Sequence, residues 1–190
     1  MPRLGLGLML AGLVLSFAGA ARAAELDGVL LPDVQTVEGK TLHLNGYGLR
    51  SLPVLGIHLY VVGLYLEHTS SDPDAILLSP ETKLLTVTFE HDVSAERARA
   101  AWRKGLENNC VAPCQLDPGD VAQFLAGVPA MHSGDTFNLR FAGHTAVIAV
   151  NGRPLGNVDK PMLADAILAT FLGPKPASPP LRRALLAGHG

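Results

Sequence analysis

Arg50 is the residue whose position most clearly indicates chemistry. In the run from Leu42 to Leu52 the even-numbered residues include Leu42, Leu44 and Arg50, which share one face if the strand is unbroken. A guanidinium on an apolar face is costly unless it is paired, and it binds a carboxylate or phenolate bidentately. The pattern therefore indicates an anion site, provided that no bulge forms at the two intervening glycines. The alternative is an arginine at the sheet rim, with a packed stem and a solvated head.

Trp102, Asn109 and Thr170 are further candidates, each with an ordinary structural alternative. Trp102 and Asn109 lie seven residues apart on a predicted helix and therefore face the same way, as the lining of a pocket would require. Equally, Trp102 fits a hydrophobic core and Asn109 a helix C-cap. A threonine inside an apolar helix, such as Thr170, more often bonds its own helix than a ligand.

Other chemistry has little support in the sequence. Cys110 and Cys114 have C-x-x-x-C spacing, unlike redox or haem motifs, and we expect them to form a structural disulfide in an oxidising compartment. The seven histidines form no metal-binding pattern. No nucleophile elbow, phosphate loop or dinucleotide fingerprint is present. We therefore expect no metal and no cofactor.

Composition and charge limit the class of protein. The 190 residues are 48% hydrophobic and 17% charged, enough for one domain with a real core. A net charge of −2 gives no support to nucleic-acid binding. Residues 1–23 combine Arg3, an apolar run and small residues before Ala23, the pattern of a secretory signal peptide cleaved after Ala23. An uncleaved anchor is the alternative, but the run is short for a membrane span.

The prediction for the rest of the chain, residues 24–190, is one exported domain, periplasmic or secreted, with no stable membrane span after cleavage. Predicted strands cover 42–52, 59–66, 83–90, 136–141, 145–150 and 153–158, and predicted helices cover 71–79, 94–109, 117–127, 160–172 and 181–186. Asn151-Gly152 is the strongest hairpin turn. Because strands and helices do not alternate regularly, the order indicates an α+β fold, with helices over a mostly antiparallel sheet.

Several segments together resemble the chalcone isomerase family. Gly-Tyr-Gly-Leu-Arg, ending at Arg50, is similar to the family's Gly-x-Gly-x-Arg strand, and Gly-Leu-Tyr-Leu-Glu, ending at Glu67, is similar to its next strand. The segment 106–111 and the helical region 157–172 also resemble the family, in the same order. The resemblance implies an open-faced β-sandwich, in which helices cover an antiparallel sheet and a cleft lies between the layers. It also implies either chalcone cyclisation, an intramolecular lyase reaction, or fatty-acid binding.

The resemblance assigns roles residue by residue. Arg50 falls on the cleft arginine, Asn109 on the active-site asparagine with a one-residue ambiguity, and Thr170 on a cleft threonine beside Phe171. The chain departs from the enzymes at two positions, where Tyr60 replaces a threonine that orders water and Trp102 replaces a tyrosine. Trp102 cannot accept a hydrogen bond.

Three functional hypotheses follow. The first is an exported protein that binds a small amphipathic carboxylate or phenolic ligand, a fatty acid among them. Its binding residues are Arg50, Leu59, Tyr60, Trp102, Asn109, Thr170 and Phe171. The second is an isomerase of chalcone-flavanone type, with Arg50, Asn109 and Thr170 as catalytic residues that stabilise an enolate. The third is a structural or partner-binding protein with a collapsed cleft.

Overall fold

The structure is a computed structural model that describes residues 23–52, 55–110 and 113–188. Apart from Ala23, the predicted signal peptide lies outside the described residues. In chain order the elements are β1 (Ala23–Leu26), β2 (Val29–Pro32), β3 (Val34–Val37), β4 (Lys40–Leu52), β5 (Ile57–Leu66), α1 (Pro73–Leu78), β6 (Lys83–Phe89), α2 (Ala95–Asn109), α3 (Pro118–Gly127), β7 (Thr136–Ala142), β8 (Thr145–Val150), β9 (Arg153–Val158), α4 (Pro161–Leu172) and α5 (Pro179–Leu185).

Strands β3 to β9 form one antiparallel sheet of seven strands in chain order, and β1 pairs with β2 in a separate hairpin. The predicted α+β fold is confirmed. The β7–β8–β9 meander has its predicted turn, with positive φ angles at Asn151 and Gly152, as a type I′ turn requires. Helix α2 begins after its N-cap Ser94, whose hydroxyl accepts a hydrogen bond from the Arg97 backbone amide. Strands β1, β2 and β3 were not predicted.

The sheet buries apolar side chains on both faces, and strand β5 contributes to both. One face packs against α2, α3, α4 and α5, and we call it the helix face. It contributes Val62, Leu64, Leu85, Val87 and Leu139 to the larger core. The other face lies under the β1–β2 hairpin, and we call it the hairpin face. Its core contains Leu31, Leu42, Leu44, Val61, Tyr65 and Leu84.

A bulge at Asn45 moves the rest of β4 to the helix face. Leu44 pairs with Tyr65, but Gly46 pairs with Leu64, so the register shifts by one residue. The prediction that Leu42 and Leu44 share a face with Arg50 was therefore wrong. The physical reason is the buried Asn45 amide, which donates to the carbonyl oxygens of Ser70 (3.0 Å) and Leu185 (2.8 Å) and so takes an extra residue out of the ladder.

Glycines in β4 allow α5 to lie directly on the strand. A Cβ atom at Gly46 would lie 2.4 Å from the backbone oxygens of Ala184 and Leu185. At Gly48 it would lie 2.7 Å from the Ala184 side chain. Only residues without a side chain permit this approach, and it fixes α5 beside the part of β4 that carries Arg50.

The predicted disulfide is present, and it joins Cys110 to Cys114 at the end of α2. Cys110 is the C-cap of that helix, so the bond closes a short loop immediately after it. Within the described part of the chain, no helix is long and apolar enough to cross a membrane.

Candidate functional site

A cavity of about 340 Å³ lies between the helix face of the sheet and the helices that cover it. Strands β4, β5, β6 and β7 provide its floor, and α2, α4 and α5 provide its roof. Its lining is mainly apolar and includes Leu52, Leu59, Val87, Phe89, Ala98, Ala101, Val128, Met131, Phe137 and Leu181. A cavity of this size lies within the range of small-molecule sites.

Arg50 is the cation of the cavity floor. Because of the bulge at Asn45, its side chain lies on the helix face, where it lines the cavity and is partly buried. Among the described residues, no carboxylate lies within ion-pair distance of its guanidinium and no acceptor takes a hydrogen bond from it. A second register shift follows directly, between Arg50 and Ser51. As far as the described residues show, the five N–H donors of this guanidinium are therefore available to a ligand.

Tyr60 lies directly opposite Arg50 on the neighbouring strand β5, and Phe89 lies opposite Tyr60 on β6. The Tyr60 and Phe89 rings pack with centroids 5.4 Å apart. Burial raises the pKa of Tyr60, and the positive charge of Arg50 opposes that rise. Tyr60 therefore remains a neutral phenol at neutral pH. The row from Arg50 to Phe89 places a cation, a hydroxyl and an apolar ring side by side on the floor.

Trp102 belongs to both the cavity and the core. Its ring packs against Phe124, Phe137 and Phe171 with centroid distances of 5.4, 6.1 and 5.9 Å. Three of these four aromatic residues, Trp102, Phe137 and Phe171, also line the cavity. The cluster therefore gives one end of the cavity a rigid apolar wall, and both interpretations of Trp102 from the sequence describe part of its position.

Thr170 lines the cavity, but its hydroxyl is engaged. Its Oγ1 donates to the Ile167 carbonyl oxygen at 2.7 Å, within α4. Its side chain packs closely against Gly105 of α2, where an added Cβ would lie 3.0 Å from the Thr170 methyl group. The side chain therefore joins two helices and has no proton free for a ligand while this hydrogen bond persists.

Asn109 lies outside the lining of the cavity. Its Nδ2 donates to the carbonyl oxygens of Gly105 and Lys175, both at 2.9 Å, and its Oδ1 accepts from the Lys175 amide at 3.2 Å. These bonds fasten the end of α2 to the segment that follows α4. The adjacent Asn108 is exposed. The structure thus brings Arg50, Tyr60, Trp102, Thr170 and Phe171 together around the cavity. Asn109 instead stabilises the covering helices from outside the cavity lining.

Sequence reasoning missed two charged residues of the lining, Arg97 and Asp92. Both are exposed, so they lie where the cavity meets solvent. Asp92 is engaged by the Ser133 amide at 2.9 Å, and that bond, followed by the neighbouring His132, lowers its pKa. A signal for Arg97 was available, because Arg97, Ala101 and Gly105 follow one another at four-residue spacing on one side of α2.

The family and fold comparisons agree with this architecture. A family profile described as chalcone isomerase-like matches residues 23–187. Among solved structures, the crystal structure of a fatty-acid binding protein from Arabidopsis thaliana superposes with a TM-score of 0.70. The two sequences are 17% identical, and the alignment covers 87% of this chain and 96% of the plant protein. The comparison with curated proteins finds no match.

Proposed function

The chain belongs to the chalcone isomerase-like family, and from that premise we propose that it is an exported protein that binds a small amphipathic carboxylate, such as a fatty acid, through Arg50. The observation that carries the proposal is the Arg50 guanidinium, which lines a mainly apolar cavity and has no ion-pair or hydrogen-bond partner among the described residues. A partly buried cation without a partner is unfavourable unless a ligand anion compensates for it. A carboxylate matches a guanidinium in both charge and geometry.

The rest of the lining suits an apolar tail. Aromatic and aliphatic side chains surround the cavity. Its volume is about 340 Å³, so the cleft between the layers is not collapsed. On the solvent side the lining carries the positive charge of Arg97 and the negative charge of Asp92, so these two residues together add no net charge there. In this arrangement the head group bonds Arg50 and the tail lies against the wall formed by Trp102, Phe137 and Phe171. Export remains a proposal from the N-terminal sequence pattern.

Trp102 gives a direct test, because it is the only tryptophan of the chain and it lines the cavity. We would titrate the protein with saturated fatty acids and record tryptophan fluorescence, using fatty alcohols of equal chain length as the control. We expect a saturable change with the acids, and at least tenfold weaker binding of the alcohols because the charge-assisted bond is lost. Equal affinity for acid and alcohol would contradict the role of Arg50. No response to any acid would contradict the ligand class.

Arg50 and Tyr60 also support a second candidate, an isomerase of chalcone type. The cation and the neutral phenol lie opposite each other on adjacent strands, so both can donate to the oxygen of a developing enolate. Thr170 and Asn109 already donate to backbone oxygens, which leaves this pair as the main donors. The test is cyclisation of hydroxychalcones at high protein concentration. Acceleration above buffer that both Arg50→Met and Tyr60→Phe abolish would favour the enzyme, and no acceleration would exclude it for these substrates.

A further inference from the structure

Three side chains with metal-binding atoms meet on the hairpin face, away from the cavity. They are Asp27, His58 and Glu90, and one potential ligand atom from each lies within 4.8 Å of the other two. Asp27 and His58 are exposed, whereas Glu90 is partly buried. His58 Nδ1 contacts the Asp27 carboxylate. The cluster shares no residue with the cavity lining, so it is a separate site.

Three separate segments of the chain supply the cluster, and two of them have irregular backbone. Asp27 has a φ of +54° in the turn between β1 and β2. The register shift beside Arg50 pairs His58 with Ser51, so His58 points away from the cavity and toward the hairpin. Glu90 directly follows β6, and its amide donates to the Leu59 carbonyl oxygen at 3.0 Å. The site therefore depends on the hairpin, β5 and β6 together.

One carboxylate oxygen of the cluster has no hydrogen-bond donor among the described residues. Glu90 Oε1 is buried, and no donor of the described residues bonds it. One oxygen of the Asp27 carboxylate lies within 4.8 Å of one oxygen of the Glu90 carboxylate. Two adjacent carboxylates repel unless a proton or a cation lies between them.

We propose that Asp27, His58 and Glu90 form a binding site for a divalent transition-metal ion of the zinc type. One imidazole nitrogen and two carboxylate oxygens are ligands that such ions accept, with bonds of about 2.0–2.2 Å. Atoms already within 4.8 Å of one another reach such bonds through small side-chain movements. A bound ion offsets the repulsion between the two carboxylates and links the hairpin to β5 and β6. Three protein ligands leave a coordination position for water.

The test is isothermal titration of zinc chloride into the full chain, freed of purification tags and treated with chelator. We expect one zinc ion per chain, with affinity reduced at least about tenfold by His58→Ala and by Glu90→Gln, because each removes a ligand. His68→Ala is the matched control, since His68 is exposed and contacts a single carboxylate, Glu81, at 2.8 Å. We expect this variant to bind zinc as the wild type does. Calcium, which prefers oxygen ligands, should bind much more weakly.

Several outcomes would overturn the site. They are the absence of stoichiometric zinc binding in the wild type, unchanged affinity in both His58→Ala and Glu90→Gln, or an equal loss in His68→Ala. Preference for calcium over zinc would overturn the assignment to transition metals. Circular dichroism establishes that each variant is folded, and Glu90→Gln preserves side-chain volume if His58→Ala disturbs the hairpin.

Discussion

Two arginines on opposite faces of the sheet, Arg140 and Arg50, differ in the partners that surround them. On the hairpin face, Arg140 of β7 is paired with Glu38, and Lys40 of β4 is paired with Glu67 at 2.7 Å. On the helix face, Arg50 has no carboxylate partner among the described residues, although it borders an apolar cavity. Arg140 and Arg50 differ in what surrounds them, not in chemistry. A paired arginine contributes to the fold, whereas an unpaired one is available to a ligand.

Substitution of Gly46 should have the largest effect, because it disrupts the junction where β4 changes face. In Gly46→Ala the new Cβ would lie 2.4 Å from two backbone oxygens of α5. We expect the free energy of unfolding to fall by about 3 kcal/mol. Urea denaturation followed by circular dichroism measures it. Gly156→Ala is the control, since nothing lies within 4 Å of its added Cβ, and an equal loss in both would mean that the contact with α5 is unimportant.

Removing each arginine in turn tests the comparison itself. Arg50→Met keeps the length of the stem and removes the charge, so we expect fatty-acid affinity to fall by about 30-fold, equivalent to about 2 kcal/mol. Arg140→Met should leave this affinity unchanged and reduce the free energy of unfolding by no more than about 1 kcal/mol. Trp102 fluorescence measures the first quantity and urea denaturation the second. Loss of affinity in both variants would show that charge alone, and not position, attracts the ligand.

Substitution of Asn109 tests whether this residue stabilises the helices or binds the ligand. Asn109→Ala removes the bonds to Gly105 and Lys175, so we expect it to lower the free energy of unfolding by about 1.5 kcal/mol. Fatty-acid affinity should change less than twofold, since the side chain lies outside the cavity lining. Parallel denaturation and fluorescence titration measure the two effects. A large loss of affinity with unchanged stability would instead assign Asn109 to the ligand.

Substitution of Glu67 should have the smallest effect on the free energy of unfolding, and this effect should depend on pH. Its hydrogen bond from Lys40, followed by that from the Thr82 amide, lowers the pKa of Glu67 to about 2 from its ordinary value of 4.5. A lowered folded-state pKa adds stability above the unfolded-state pKa, and this stability is lost as pH falls from about 4.5 to about 2. Because solvent screens the pair, we expect about 1 kcal/mol at pH 7. Denaturation of Glu67→Gln across this range should show a deficit at pH 7 that disappears near pH 2, and a constant deficit would contradict the assignment.

Much of the fold could be predicted from local sequence. The predicted strands of the β7–β8–β9 meander match the structure closely because Asn151-Gly152 fixes the turn and the strands have clear composition. Helix α2 was predicted equally well, because Ser94 caps it and its apolar stripe has helical spacing. Both signals depend on residues close together in the chain.

The site could be predicted only in part, because it depends on contacts between distant residues. Counting alternate residues along β4 cannot reveal the bulge at Asn45, which depends on a carbonyl 140 positions later in the chain. Arg50 faces the helices for this reason, even though the parity that first drew attention to it fails. Local sequence patterns likewise cannot predict the cluster of Asp27, His58 and Glu90, since its residues come from three separate segments.

The measurement that tests the central claim most directly is the identification of the bound ligand. We would purify the wild type and Arg50→Met in parallel, extract both with organic solvent, and analyse the extracts by mass spectrometry. The account predicts a stoichiometric amphipathic acid in the wild type and its loss from Arg50→Met. An acid retained at equal amounts in Arg50→Met, or a neutral lipid in both proteins, would contradict the claim that Arg50 holds an anionic head group.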